Sequence, residues 1–392
     1  MRGLVILVGR YLIYYRSRTA LLVACLGLTI YLPLAAELVV QDFQRQLVAR
    51  AATTPLLLGA RGSRFDLALH ALYFEAEPTA TLTSAEVDRV TKTGWATPIP
   101  LLIRQKARGF PIVGTSSDYL EFRRLGLSAG RPFLYLGECV VGAHVARKLQ
   151  LKVEDKLLSD PENLFDIAGA YPLKMHVVGV LAESHSPDDG AVFVDLKTAW
   201  ILEGIGHGHQ DVADESAGPA ILNRTAAGVV AGAALPQYTE ITPENRDTFH
   251  FHGEPSQFPL TAIIAVPRDA KSATLLQGRY LEPSQATQAL QPLAVVSELL
   301  DLVFRIKRFF DLTAWLLITV TVLFLVLVLS LSLRLRQREL QTMFKLGCSR
   351  FTIFRLQAME LVFIISAAAL FATPLAWATV LFTPRLLRMW LS

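Results

Sequence analysis

Cysteine is scarce in this sequence: three residues, Cys25, Cys139 and Cys348, among 392. Charge is also scarce, at 18% of residues, and nearly balanced, with a formal net charge of +4. The basic residues gather beside apolar runs rather than along a stripe, which excludes a nucleic-acid surface. A phosphate cradle of the form G-x-x-x-x-G-K-[ST] is missing. The glycine-containing stretches GARGSRFD (59–66) and GIGHGHQD (204–211) lack its lysine and spacing and read as turns. No nucleotide-hydrolysing site is therefore expected in this chain, and no enzyme activity of its own.

Apolar sequence is what abounds, at 52% of residues. It is concentrated in Thr19–Val40, Leu312–Leu333 and Leu361–Thr383, each close to the roughly 20 residues that cross a bilayer as a helix. The chain reads as an integral membrane protein. The first run is too long for the core of a signal peptide, and QDFQRQL follows it without a small-residue cleavage site. Arg2, Arg10, Arg16 and Arg18 precede the first run, and Arg334, Arg336, Arg338, Lys345, Arg350 and Arg355 lie between the second and third. Basic residues next to spans stay in the cytoplasm, which puts the N-terminus inside and the long segment 41–311 outside. That topology separates the three cysteines and excludes a disulfide within the chain.

The external segment is large enough for a core of its own and is expected to form two subdomains. It starts with ELVVQDFQRQLVAR, where Val39, Val40, Phe43 and Leu47 recur at helical spacing, and ends with VVSELLDLVFRIKRFF, which has its own apolar stripe. Both are expected to extend the neighbouring spans as helical stalks. Between them PLLLGA, PLLIRQ, PIVGTS, ECVVGA, MHVVGVL, AVFVDL and LTAIIAVP are short apolar runs bounded by Gly, Pro or charge, the mark of strands. TSAEVDRVTKTG and AHVARKLQL read as helices, giving a mixed α+β domain. Residues 204–256 are polar and rich in Gly, His and Asp, an excursion from that core.

The cytoplasmic segment RLRQRELQTMFKLGCSRFTIFRL (334–356) is basic, yet carries Leu340, Met343 and Phe344 at helical spacing, a break at Gly347, and then Phe351 and Phe354. Apolar side chains projecting from a basic helix need a cover. Inner-leaflet lipid and a protein groove both satisfy that need.

These residues resemble the FtsX-like, or MacB-type, permeases of ABC transporter complexes. There, a basic stretch with an Arg-Glu pair leads to a Leu-Gly-Ala/Cys-Ser turn and then to a helix carrying Glu. The matching residues are Arg338-Glu339-Leu340, Lys345-Leu346-Gly347-Cys348-Ser349-Arg350 and Glu360. GECVVGAHVARKLQLKVEDKL (137–157) and MHVVGVLAESHSPDDGAVFVDLKTAW (175–200) are similar to the family's periplasmic core domain. The resemblance implies that 334–356 is the coupling helix seated in an ATPase groove, with Arg338, Glu339, Leu340, Met343, Phe344, Leu346, Gly347 and Arg350 as contact residues. ATP and magnesium would then belong to that cytoplasmic ABC ATPase, with no cofactor in this chain.

The expected layout is an interfacial helix (1–18), a first span (19–40), a periplasmic α+β domain (41–292), a stalk helix (293–311), a second span (312–333), the coupling segment (334–356), a third span (357–383) and a tail (384–392). Three membrane helices depart from the family's usual four. The location implied is a bacterial inner membrane with the large domain in the periplasm. Partners implied are a second permease, identical or not, membrane lipid, and a periplasmic adaptor or lipoprotein. Ala20, Ala24 and Gly27 would permit close packing in such a dimer. The resemblance points to mechanical transmission for export or extraction of a hydrophobic or lipid-linked substrate. A sensor regulating a periplasmic enzyme, or a zinc-handling module, are the alternatives.

The zinc alternative rests on His207, His209, His250 and His252, two H-x-H pairs near acidic residues. A solvated polar loop is the simpler reading, and no metal is assigned. Ser184 and His185 beside Asp188 and Asp189 read as a turn, since adjacency in ESHSPDDG does not orient a catalytic base. Glu37 and Glu360, near opposite ends of their runs, are expected to reach water at the interfaces.

Overall fold

The computed structural model describes residues 2–75, 80–161, 172–208, 221–225, 228–231, 238–282, 285–335 and 337–390. It divides into two compact units, Val48–Leu299 and, separately, Met1–Leu47 with Leu300–Ser392.

An eleven-stranded mixed sheet organises Val48–Leu299. Its main path runs Thr287–Leu290, Leu56–Ala60, Ala262–Pro267, Ala96–Leu102, Phe110–Thr115, Val192–Asp195, Glu138–Val141, Lys174–Leu181 and Leu127–Gly130. The seven apolar runs read as strands are seven consecutive members of this path. The expected division into two subdomains is not what forms. Ala262–Pro267 returns late in the chain to pair with both Leu56–Ala60 and Ala96–Leu102, which ties the two ends of the domain into one sheet.

Strand periodicity explains the packing. Phe193 enters one core with Leu57, Val113, Val140 and Ile264. Its neighbours Val192 and Val194 point to the other face and join Leu102, Ile112, Cys139 and Val141. Leu56, Leu58, Ile263 and Ala265 form a third cluster. Both faces of the sheet's middle are therefore covered: Leu56–Ala60, Phe110–Thr115, Glu138–Val141 and Val192–Asp195 are buried along almost their whole length, whereas Lys174–Leu181 alternates buried and half-buried positions.

The helices cover these faces. Ala85–Thr93 ends at Gly94 in the left-handed region, and Glu86 of its first turn is buried against Arg89 and the Tyr280 hydroxyl. Ala143–Leu149 is the crossover between the parallel strands Glu138–Val141 and Lys174–Leu181. At its start Gly142 has no room for a side chain: a Cβ there would meet the carbonyl oxygens of Asp188 and Asp189, each at 2.4 Å.

The second unit is helical: Arg2–Tyr14, Arg16–Ala52 as far as Leu47, Pro292–Leu335 from Leu300, then Gln337–Lys345 and Arg350–Trp390. Among the described residues two helices, Arg16–Ala52 and Arg350–Phe382, are long and apolar enough to cross a membrane, and Leu312–Phe324 is a shorter apolar segment within Pro292–Leu335. Hydroxyl pairs link the three: Thr29 with Thr321 at 3.3 Å, and Tyr31 with Thr379 at 2.9 Å. In an apolar medium such groups find partners on neighbouring helices.

Gly142→Ala forces the turn at 187–190 to move and is expected to lower stability by about 1–3 kcal/mol. Gly190→Ala, whose Cβ meets nothing within 4 Å, stays within about 0.5 kcal/mol of the parent. Thermal unfolding of the detergent-solubilised proteins measures both, and equal losses would refute the steric account.

Candidate functional site

The basic segment 337–356 folds as a helix, a glycine break and the start of a second helix. Gln337–Lys345 ends where the Leu346 N–H donates to the Thr342 carbonyl and the Gly347 N–H to that of Phe344, both at 3.0 Å. Gly347 has φ +95°, which only glycine adopts without strain, although space for a Cβ exists. Ser349 then caps the helix Arg350–Trp390: its hydroxyl accepts from the Thr352 N–H at 3.2 Å.

The apolar groups of this turn are not covered. Phe344 is 52% exposed, Leu346 80%, Phe351 61% and Phe354 65%. Arg350 lies over the Phe344 ring at 5.9 Å and Arg355 over Phe351 at 4.2 Å. Cation–ring stacking holds these pairs as units that present an apolar edge and a positive charge together. Arg338, Glu339, Leu340 and Met343 lie on the preceding helix, with side chains outside the described set.

Of the small residues read as a dimer seam, Gly27 is committed within the chain. A Cβ there would meet the Phe371 ring at 2.7 Å and the Ala368 carbonyl oxygen at 3.2 Å. Ala20 is exposed and Ala24 half-buried. Glu37 accepts from the Gln41 amide at 2.7 Å. Glu360 is 6% exposed, so it faces the helix packing and not the water its sequence position suggests. His207, His250 and His252 converge on one small sheet, while His209 lies outside the described residues.

One polar constellation in the Val48–Leu299 unit escapes sequence reading. Arg50, in the last turn of Arg16–Ala52, places Nη1 at 2.6 Å and Nη2 at 2.9 Å from the two carboxylate oxygens of Asp188. Its Nη2 also donates to the Tyr119 hydroxyl at 2.8 Å, and its Nε donates to the Leu72 carbonyl. Tyr119 and Ser186 in turn donate to Asp188 at 2.8 and 3.0 Å. Both charged side chains are nearly inaccessible, at 6% and 1% exposed.

Burial alone would raise the Asp188 pKa, but the charge of Arg50 and its hydrogen bonds outweigh that and hold the carboxyl below the usual range. Burial pushes the Tyr119 phenol up to about 12, with Arg50 opposing, so it stays a donor. Asp189 accepts from the Ser184 N–H and hydroxyl and from the His185 N–H. The stretch 183–190 is thus a turn built around two buried acids. The one sequence signal for the constellation is a cation on the buried helix stripe, with Leu47 and Ala51 as its neighbours.

Residues 38–234 match the family described as the MacB-like periplasmic core domain. Among solved structures, the extracellular domain of the noncanonic ABC-type transporter YknZ from Gram-positive bacteria is similar over 60% of this chain and 98% of that one, at 13% identity and TM-score 0.33. The periplasmic region of MacB from Actinobacillus actinomycetemcomitans is similar over 63% and 92%, at 8% identity and TM-score 0.34. No curated protein matches the sequence.

Asp188→Ala leaves a buried unpaired guanidinium and is expected to cost about 3–5 kcal/mol at neutral pH. The native carboxyl has a depressed pKa, so its contribution is complete above the ordinary aspartate value of about 4 and fades as pH falls through the lower native one. The stability gap between parent and variant, measured by unfolding at stepped pH, therefore narrows only in acid. A gap that stays constant from neutral to strongly acidic pH would contradict this.

Proposed function

This chain belongs to the family of the MacB-like periplasmic core domain, and on that premise we propose that it transmits ATP-driven motion as the membrane subunit of an ABC transporter. The Val48–Leu299 domain is the part moved, and a separate cytoplasmic ATPase, with its ATP and magnesium, is the source. The observation that carries the reading is the uncovered aromatic and arginine surface of residues 344–355, split by a left-handed glycine, in a chain of this family. A protein groove answers that surface better than lipid does. Phe344 and Phe351 supply anchors, and the arginines stacked on them supply the charged rim.

The helices Arg16–Ala52 and Pro292–Leu335 have 37 and 44 residues, about 55 and 66 Å of helix, which outlasts a hydrocarbon core of about 30 Å. Each therefore leads from its membrane span into the domain as one element. Motion of the helices moves the domain, and no water-filled tunnel is needed. Such a device suits export or extraction of a hydrophobic or lipid-linked substrate from the periplasmic side of an inner membrane. Two permease copies pair to meet two ATPases.

Phe344→Asp is expected to weaken capture of the ATPase from native membranes at least thirty-fold, the equivalent of about 2 kcal/mol. Gly347→Pro is expected to abolish it, while Leu281→Asp, an exposed apolar site (71%) in the Val48–Leu299 unit, leaves it intact. Pull-down of the tagged, solubilised protein with mass spectrometry reads the outcome. Equal ATPase recovery from all variants would refute the coupling assignment.

A further inference from the structure

We propose that His207, His250 and His252 form a zinc site outside the coupling machinery. The strand Gly206–Gly208 pairs antiparallel with Phe249–Phe251, and the register sets His207 directly opposite His250. The chain stays extended one residue further, where the His252 N–H donates to the Ile205 carbonyl at 2.9 Å. Side chains two apart on a strand share a face, so His250 and His252 stand together with His207 across from them. The ring centroids form a near-equilateral triangle of 4.9, 4.7 and 4.9 Å.

The opposite face explains why the triangle is held. Gly206 and Gly208 lie opposite Phe251 and Phe249, and a Cβ at either glycine would meet those rings at 2.7 or 2.6 Å. The rings lie over bare backbone, and Phe251 packs on Trp200 and Phe258. One face of the small sheet is thus docked against the second core cluster, and the histidines occupy the other.

The ligand atoms suit a metal in three respects. They all lie within 4.8 Å of one another. The Nε2 atoms of His207 and His252 are 3.4 Å apart, and two nitrogens bound about 2.05 Å from a tetrahedral zinc stand about 3.3 Å apart. The His250 Nδ1 lies 3.2 Å from the Thr248 carbonyl. Donating that N–H fixes the tautomer with the lone pair on Nε2, the arrangement usual for metal-bound imidazole. Without metal, one Nε2–H of the His207–His252 pair donates to the other. With zinc, that ring carries its proton on Nδ1 instead, and both Nε2 lone pairs turn to the ion.

Three neutral imidazoles leave a fourth position open to water or an outside donor. His250 and His252 are exposed and His207 half-buried, so the ion exchanges with the surroundings and is not sealed in. Zinc fits the nitrogen set and an oxidising compartment better than magnesium or calcium, which take oxygen ligands. The two strands bracket residues 209–248 in sequence, so a bound ion ties together the two ends of that stretch, at His207 and at His250 and His252.

The full chain, solubilised and purified through a histidine-free tag, is titrated with zinc against a chromophoric chelator, with metal content measured after dialysis. One zinc per chain is expected. His207→Ala, His250→Ala and His252→Ala should each lower affinity at least ten-fold, whereas His185→Ala leaves it unchanged. Cobalt(II) in place of zinc should give the visible absorption of a tetrahedral site in the parent and not in these three variants. Thermal unfolding without metal controls for misfolding, since the metal-free variants should melt with the metal-free parent. No stoichiometric zinc in the parent, or undiminished affinity in the three variants, overturns the proposal. Neither result bears on the coupling assignment, which the ATPase pull-down tests separately.

Discussion

Everything in the Val48–Leu299 unit is built around one desolvated ion pair. Arg50 and Asp188 are taken out of water together, which is unfavourable by several kcal/mol per ion unless every polar atom finds a partner. Here the conditions are met. The guanidinium has two carboxylate oxygens, the Tyr119 hydroxyl and the Leu72 carbonyl, and the carboxylate has four donors. Such a cluster adds little stability over well-packed apolar residues, but it tolerates almost no displacement. It therefore fixes the end of Arg16–Ala52 in register and azimuth, where an apolar contact would let the helix slide. Gly142 and the turn at 187–190 carry the same constraint into the crossover helix.

Much of the fold was legible because both faces of the sheet are buried. A strand of that kind is a compact apolar run with Gly or Pro at its ends, and all seven such runs became neighbours. What the runs do not carry is their order. The pairing of Ala262–Pro267 between Leu56–Ala60 and Ala96–Leu102 joins residues far apart in sequence, and no local signal marks it. The single domain in place of two subdomains follows from that one insertion.

The sites were unevenly legible for a related reason. The turn at Gly347 is local, so its glycine and aromatics could be read from adjacent residues. The Arg50 cluster draws on positions 50, 72, 119, 186 and 188, and only the misplaced charge on the buried stripe of its helix hinted at it. Glu360 looked like a helix-end residue because sequence position measures distance along the helix, not which neighbours close over it. The histidines stand between these cases. Each H-x-H pair was visible, but the triangle needs the cross-strand register that puts His207 opposite His250.

The two ends differ in what holds them. At Arg50 the buried pair keeps the end of its helix in place, because any shift there would expose an unpaired charge. The turn at Gly347 has the opposite design. Gly347 sits in open space with a backbone conformation that other residues resist, and its neighbours are held by ring stacking at the surface rather than by a core. A tightly held geometry at Arg50 and an open, stacked one around Gly347 each follow from the burial of the groups involved.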